Sequence, residues 1–428
     1  MILPLRAMAK SKSGFASKIF LCLIAIGVPL NLINNRYYDN SWTVGEWLIS
    51  YGGGFVRRGL PGSVIHGIAS SWGLQPVWLI WLASLVSYLI FGGLLWRFCK
   101  GKIDAAILLS PMILLGPIIG NFLIRKDVLV VALYGLCLLV VQISQIKRRK
   151  AYSCILPVNL LSILAILCHE SYGFWGLPSL VLVLSFWRRG SASLDFGSLR
   201  RAFFMLSPAV VAFVLCLALK GSSNHALMIH ESWQSLARLL PSNGALSASD
   251  PVGAIDAIGW STRQGLGLSY STLKNFSFVI WIPAAWMLTI FICIVLFIGN
   301  RDRQAQAIKR QVVLFQFLMI SPLFVLGWDF GRWIFLWLAS SALLYGFINS
   351  FPGESLELWQ SSASGGMLER ITPGLVLNGN HKLALLLLGI PGCCWSVGGF
   401  VSSTPLMYGF ASLRFSLAIL RKALSFYF

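Results

Sequence analysis

The sequence predicts an all-α protein, a polytopic transmembrane helical bundle of roughly ten to twelve spans. Three observations predict it. Of 428 residues, 57% are hydrophobic and only 11% are charged, with a mean hydropathy of +0.76, where soluble domains carry about 25% charged residues. Apolar runs near the length needed to cross a bilayer, about 20 residues, recur along the chain. The basic residues fall as short clusters between those runs (Lys10, Lys12 and Lys18; Arg97, Lys100 and Lys102; Lys147 to Lys150; Arg188, Arg189, Arg200 and Arg201; Arg301, Arg303, Lys309 and Arg310).

The runs place helices at about 17–33, 75–97, 104–122, 127–145, 152–168, 172–187, 202–219, 277–299, 311–327, 333–349 and 382–400, and a twelfth at 406–425 that Arg414 interrupts. The first follows a basic stretch without a small-residue cleavage site, which reads as an uncleaved helix. With the N-terminus in the cytoplasm, inner segments up to Lys382 hold 21 Lys and Arg and outer segments hold 10. That asymmetry is the positive-inside pattern. It explains the net charge of +20 without nucleic acid. The expectation is one polytopic membrane domain, 1–428, with extracytoplasmic loops at 34–74 and 220–276 and a cytoplasmic loop at 351–381. The nine cysteines lie in or beside apolar runs and form no CxxC. They read as small hydrophobes rather than a disulfide or zinc framework.

The two faces differ in chemistry. Ionisable groups at membrane-helix ends are costly to hold there and mark functional sites, and here they collect on the outer face. The first outer loop carries Asp39 and Glu46, a predicted short interfacial helix beginning at Glu46, a Gly52-Gly53-Gly54 turn suited to presenting amides to an anion, then Arg57-Arg58. Arginine captures phosphate through a planar two-pronged fork; snorkelling arginines in an interfacial loop are the alternative. Arg125-Lys126-Asp127 fills the short turn before the 127–145 helix, as an anion clamp or as a helix cap with surface cations. His169-Glu170 ends the 152–168 helix and suits acid or base work or capping. Asp329 and Arg332, within Gly-Trp-Asp-Phe-Gly-Arg-Trp, are three apart and share a helical face, either in the site or as a local ion pair. His230-Glu231 reads as a solvated loop helix. Trp42, Trp47, Trp175, Trp328 and Trp333 suit sugar stacking or an interfacial belt. One extracytoplasmic pocket lined by helix ends accounts for the four connections together.

These motifs resemble those of bacterial polytopic glycan enzymes, the exopolysaccharide and O-antigen polymerases of the EpsG/Wzy type and the wider GT-C-like membrane glycosyltransferases. The resemblance implies a polyprenyl-phosphate- or polyprenyl-diphosphate-linked glycan as substrate, glycan-assembly proteins as partners, and the lipid bilayer as setting. It implies catalytic candidates Asp39, Glu46, His169 and Glu170. Substrate-binding candidates are Arg57, Arg58, Arg125, Lys126, Asp127, Asp329 and Arg332. The family's acid in the first outer loop maps onto Asp39 or Glu46. No Asp-Asp or Asp-x-Asp pair appears in the sequence, so neither metal nor cofactor is expected. The rival readings are a flippase or transporter of an anionic lipid-linked glycan, with no base, and a membrane acyltransferase using His169.

The topology has a direct check. Single cysteines replacing Ser247 and Ser361 are expected to react with an impermeant maleimide from opposite sides of intact cells, and same-side labelling would overturn the alternation.

Overall fold

A computed structural model describes residues 17–33, 41–120, 122–147, 152–186, 196–239, 246, 249–275, 303–327 and 329–350. All regular structure among them is helical. Helices α1 (Ser17–Ile33), α2 (Thr43–Leu48), α3 (Gly59–Trp72), α4 (Pro76–Cys99), α5 (Ala105–Leu109), α6 (Gly116–Ile119), α7 (Asp127–Ile146), α8 (Tyr152–Cys168) and α9 (Tyr172–Phe186) come first. They are followed by α10 (Phe196–Met205), α11 (Ser207–Ala218), α12 (Ser223–Ser232), α13 (Thr262–Asn275), α14 (Arg303–Leu326) and α15 (Phe330–Ile348), with 3-10 turns at Gln234–Leu239 and Asp256–Ile258. The expected helices at 277–299, 382–400 and 406–425, and the loop at 351–381, lie outside the described residues.

Among the described residues, α4, α7 and α15 are long and apolar enough to cross a bilayer, and the bent pair α10–α11 would make a fourth. Several apolar helices of this kind make a multi-pass membrane protein. Their exposure sorts them by place. Trp78, Leu82, Val86, Leu89 and Trp96 form an exposed stripe on α4, at three-to-four-residue or heptad spacing, while Ile80, Phe91, Leu95 and Phe98 face inward. The apolar window of α15 is wholly buried, so α15 is the central helix, packed by α4, α7 and α14.

Two expected helices are broken. The 104–122 segment forms only α5 and α6. Proline disfavours helical backbone in the residue before it, and Ser110, preceding Pro111, is extended at φ −63° and ψ 166°. Backbone groups at membrane depth need partners inside the protein. The Tyr88 hydroxyl and Asn31 Nδ2 supply them, donating to the carbonyls of Leu114 and Ile118, each at 2.8 Å. The 202–219 segment bends by 69° between α10 and α11. Pro208 lacks an N–H, and Asn159 braces the bend by donating to Met205 O at 2.9 Å and accepting from the Ala209 N–H at 3.3 Å.

The described parts of the 34–74 and 220–276 loops pack on each other. Val44, Trp47, Ile65, Trp233, Ile255 and Ile258 belong to a second core outside the main bundle. Trp233 Nε1 donates to Leu48 O at 2.8 Å. The triple glycine is part of this docking: a Cβ on Gly52 would stand 2.7 Å from Ser232 Oγ and one on Gly53 2.9 Å from Met228 Cβ. The Gly54 N–H, expected to face an anion, donates to Tyr51 O at 3.0 Å. At the opposite end Lys102 Nζ donates to Gly346 O and Ser350 Oγ, each at 2.8 Å, closing the C-terminus of α15 with a cation.

Small residues let membrane helices approach closely. A Cβ on Gly346 would meet Cys99 Sγ and Phe98 O at 2.8 Å, whereas one on Gly67 of α3 meets nothing within 4 Å. Gly346→Val is expected to lower stability by about 1–3 kcal/mol through overpacking, and Gly67→Ala to raise it by about 0.5–1 kcal/mol. Thermal unfolding in detergent reads both, and equal effects would overturn the α4–α15 contact.

Candidate functional site

Four connections end at the same end of the bundle and their charged side chains meet. The α2 helix is pinned by Trp47, whose Nε1 donates to Ile124 O; this places Glu46 beside the turn that begins α7. At Arg58 the chain takes a left-handed conformation, φ 66° and ψ 7°, the only described non-glycine residue with positive φ. Such a conformation is strained for a side chain with a Cβ. Two charged groups from elsewhere hold it. Glu170 accepts from Arg58 Nε at 2.7 Å and from Nη2 at 2.5 Å, and Lys126 Nζ donates to Arg58 O at 2.9 Å.

Arg332, 2% exposed, gathers three of the acids. Its Nε donates to Asp127 Oδ2 at 2.7 Å and its Nη1 to Asp329 Oδ2 at 2.5 Å, while Nη2 stands 3.6 Å from Glu46 Oε1. Arg125 Nη1 donates to the same Asp329 oxygen at 3.3 Å. Arg57 Nη1 lies 3.3 Å from Glu170 Oε1. The cluster thus pairs Arg57, Arg58, Arg125, Lys126 and Arg332 with Glu46, Asp127, Glu170 and Asp329, one cation in excess. Its rim is formed by Arg57 and Arg58, whose side chains are 25% and 24% exposed, and its floor by Glu46, His169, Asp127 and Arg332, each at 2% or less.

Glu46 and His169 form the centre of the floor. The Ser171 N–H donates to His169 Nδ1 at 3.2 Å. That occupied lone pair assigns the ring proton to Nε2, which faces Glu46 Oε1 at 3.4 Å. Burial, reinforced by the Arg58 guanidinium, holds His169 below the usual imidazole value, so the ring is neutral near pH 7. Burial pushes the Glu46 carboxyl up, but Arg332, His169 and Arg125 outweigh it and hold it well below the usual range. Glu170 is treated the same way, its burial overcome chiefly by Arg58 and Arg57. Burial lowers Lys126 to about 8. Neither oxygen of Glu46 makes a hydrogen bond among the described residues. Glu46 is therefore a buried, ionised carboxylate held chiefly by the charge of Arg332, with the His169 Nε2 3.4 Å from its Oε1.

Ten of the eleven expected site residues meet here; Asp39 lies outside the described residues. Asp127 does not cap α7, since it is the first helical residue and answers Arg332. Asp329 and Arg332 do form the local pair, and share it with Arg125 and Asp127. Trp47, Trp175 and Trp333 are buried rather than offered to a sugar, Trp42 is partly exposed against Trp260, and Trp328 lies outside the described residues. His230 is buried in α12 beside Gln234 rather than solvated. Among the described residues, no group of three His, Cys, Asp or Glu could hold a metal ion.

Sequence reasoning missed a buried polar column below the cluster. The Tyr172 hydroxyl stands 3.3 Å from Ser162 Oγ and 3.7 Å from Cys137 Sγ, and Gln316 Nε2 donates to Ser179 Oγ at 2.7 Å. Its only signal was serine and glutamine inside apolar runs. No family model, curated protein or solved structure matches this chain.

The geometry separates two acids by variant. Removing one partner of a buried, hydrogen-bonded pair costs about 3–5 kcal/mol, which is expected of Glu170→Gln, since it removes the carboxylate that accepts both bonds from Arg58 and pairs with Arg57. Glu46→Gln is expected to cost clearly less, because Arg332 keeps Asp127 and Asp329. Thermal unfolding of the purified variants decides, and an equal loss would make Glu46 a structural group.

Proposed function

We propose that this chain is a glycosyl-transferring enzyme of a bacterial inner membrane, a polysaccharide polymerase or GT-C-like glycosyltransferase. It moves a sugar or oligosaccharide from a polyprenyl phosphate or diphosphate carrier to a glycan acceptor at the extracytoplasmic face. One observation carries the reading: an ionised carboxylate, Glu46, makes no hydrogen bond among the described residues and sits on the floor of a charged cluster whose rim is arginine. The rim guanidiniums of Arg57 and Arg58 hold the carrier's phosphate and stabilise the negative charge that develops on it as the glycosidic bond breaks. Glu46 takes the proton of the acceptor hydroxyl, steadied by the Nε2–H of His169. A depressed carboxyl is a weak base, which suits a reaction driven by departure of phosphate, where the base supplies about 10²–10⁴-fold. Arg332, Asp127, Asp329, Arg125, Lys126 and Glu170 build the floor and set the arginines. The reading keeps the sequence-based count of roughly ten to twelve spans with the N-terminus in the cytoplasm, and glycan-assembly proteins as partners.

A carrier of an anionic lipid-linked glycan is the second reading. The observation that favours it is the pair of interrupted segments, 110–115 and the bend at Leu206, since broken helices are common at transporter binding sites. Base-site variants separate the two. In the enzyme, Glu46→Gln is expected to keep binding of a radiolabelled polyprenyl-linked donor while transfer falls by about 10²–10⁴-fold, and Arg57→Lys to weaken binding through loss of the fork. If Asp39→Asn, Glu46→Gln and His169→Gln all sustain glycan synthesis, the carrier replaces the enzyme.

A further inference from the structure

The His169 ring is flanked by two carboxylates yet uncharged. Its Nε2 lies 3.4 Å from Glu46 Oε1 and its Nδ1 lies 3.8 Å from Glu170 Oε2. Two ionised acids at this range favour an imidazolium. Burial opposes them first, and the neighbouring cations second. Arg58, at the entry to α3, donates twice to Glu170 and has its Nη1 3.8 Å from Glu46. Arg332 of α15 lies 3.6 Å from the same Glu46 oxygen. Lys126, at the start of α7, holds the Arg58 carbonyl, and Arg57 shares Glu170. Arg125, Asp127 and Asp329 complete the surroundings beyond Arg332. The histidine thus sits at the balance point between the acids on one side and burial with the guanidiniums on the other, in a place with little water to screen the charges.

An anion arriving at the rim would change that balance in one direction. It adds negative charge beside Arg57 and Arg58 and competes with Glu170 for their N–H groups. The repulsion on His169 falls, and Glu170, 3.8 Å from Nδ1, is freed to pair with the ring. We propose that binding of a phosphate-class anion at Arg57 and Arg58 is coupled to the uptake of one proton from solvent by His169. Nδ1 receives the proton, in place of the hydrogen bond it now accepts from the Ser171 N–H, and Nε2 keeps its own. Anion binding and ring charging are then reciprocal, each favouring the other by the same factor. The inference rests on the anion-binding part of the function proposed above and not on the transfer reaction.

Sulfate is a suitable probe, since it is a tetrahedral anion that does not itself titrate near neutral pH. The experiment is calorimetric titration of the purified full chain with sulfate between about pH 5.5 and about pH 7.5, the range of histidine titration, in two buffers of unlike ionisation enthalpy. The expected result is affinity that rises as pH falls, by up to about tenfold per pH unit, and heats that differ between buffers by proton uptake. His169→Gln is expected to bind sulfate without pH dependence. Ring ¹⁵N shifts of histidine-labelled protein give an independent readout if that variant does not fold, the His169 resonance moving to its doubly protonated position on adding sulfate. Binding that is flat with pH and equal in both buffers overturns the coupling alone. A pH dependence that survives His169→Gln, or a His169 resonance unmoved by sulfate, overturns it as well. No sulfate binding at any pH overturns the anion site, and the coupling with it.

Discussion

The buried guanidinium of Arg332 is the interaction on which the site depends. It joins the start of α15 to the start of α7 through Asp127, closes its own turn through Asp329, and faces Glu46 of α2. An unpaired charge at 2% exposure would cost several kcal/mol, so three acids must come to it. The central helix, the flanking span and the interfacial helix are thereby fixed at one level, and everything nearer to solvent is arranged around that level.

Charge at the rim follows from charge at the floor. Asp127 and Asp329 are committed to Arg332, and Arg125 shares Asp329. Glu170 is committed to Arg58 and Arg57, so among the four acids of the cluster Glu46 is the one whose oxygens make no hydrogen bond to the described residues. Its ionisation is sustained at a distance by Arg332 and by a neutral histidine whose tautomer is set by a single backbone N–H. A carboxylate held by field rather than by contact is free to accept a proton donor without first breaking a bond, which is what distinguishes it from Glu170 in the same cluster, whose oxygens both accept from Arg58.

The helical class and the convergence of charges were legible because both rest on local signals. Apolar runs mark α4, α7, α8, α9 and α15 to within a few residues, and charges at the ends of such runs have few places to go except toward one another. What could not be read was long-range. Which acid pairs with which arginine depends on contacts such as Arg332 with Asp127, 205 residues apart. The broken 104–122 and 202–219 segments carry Pro111 and Pro208, yet the overall hydropathy hides them, because apolar loops and apolar helices have the same composition. The triple glycine looked like an anion cradle, and serves a close approach to α12 that only tertiary structure reveals.

The second core, joined by the bond from Trp233 to Leu48 across 185 residues, has a consequence for the order of synthesis. At typical translation rates of 5–20 residues per second, α2 and α3 wait roughly 10–40 s for the segment that covers them. Arg332 emerges later still. During that interval Glu46, Arg57 and Arg58 remain in water, where a charge is cheap, and their burial is deferred until every counter-charge has been made. The N-terminal third of the protein is thus a scaffold awaiting α12 and α15, and a defect in either would first be felt as a failure of biogenesis rather than of chemistry.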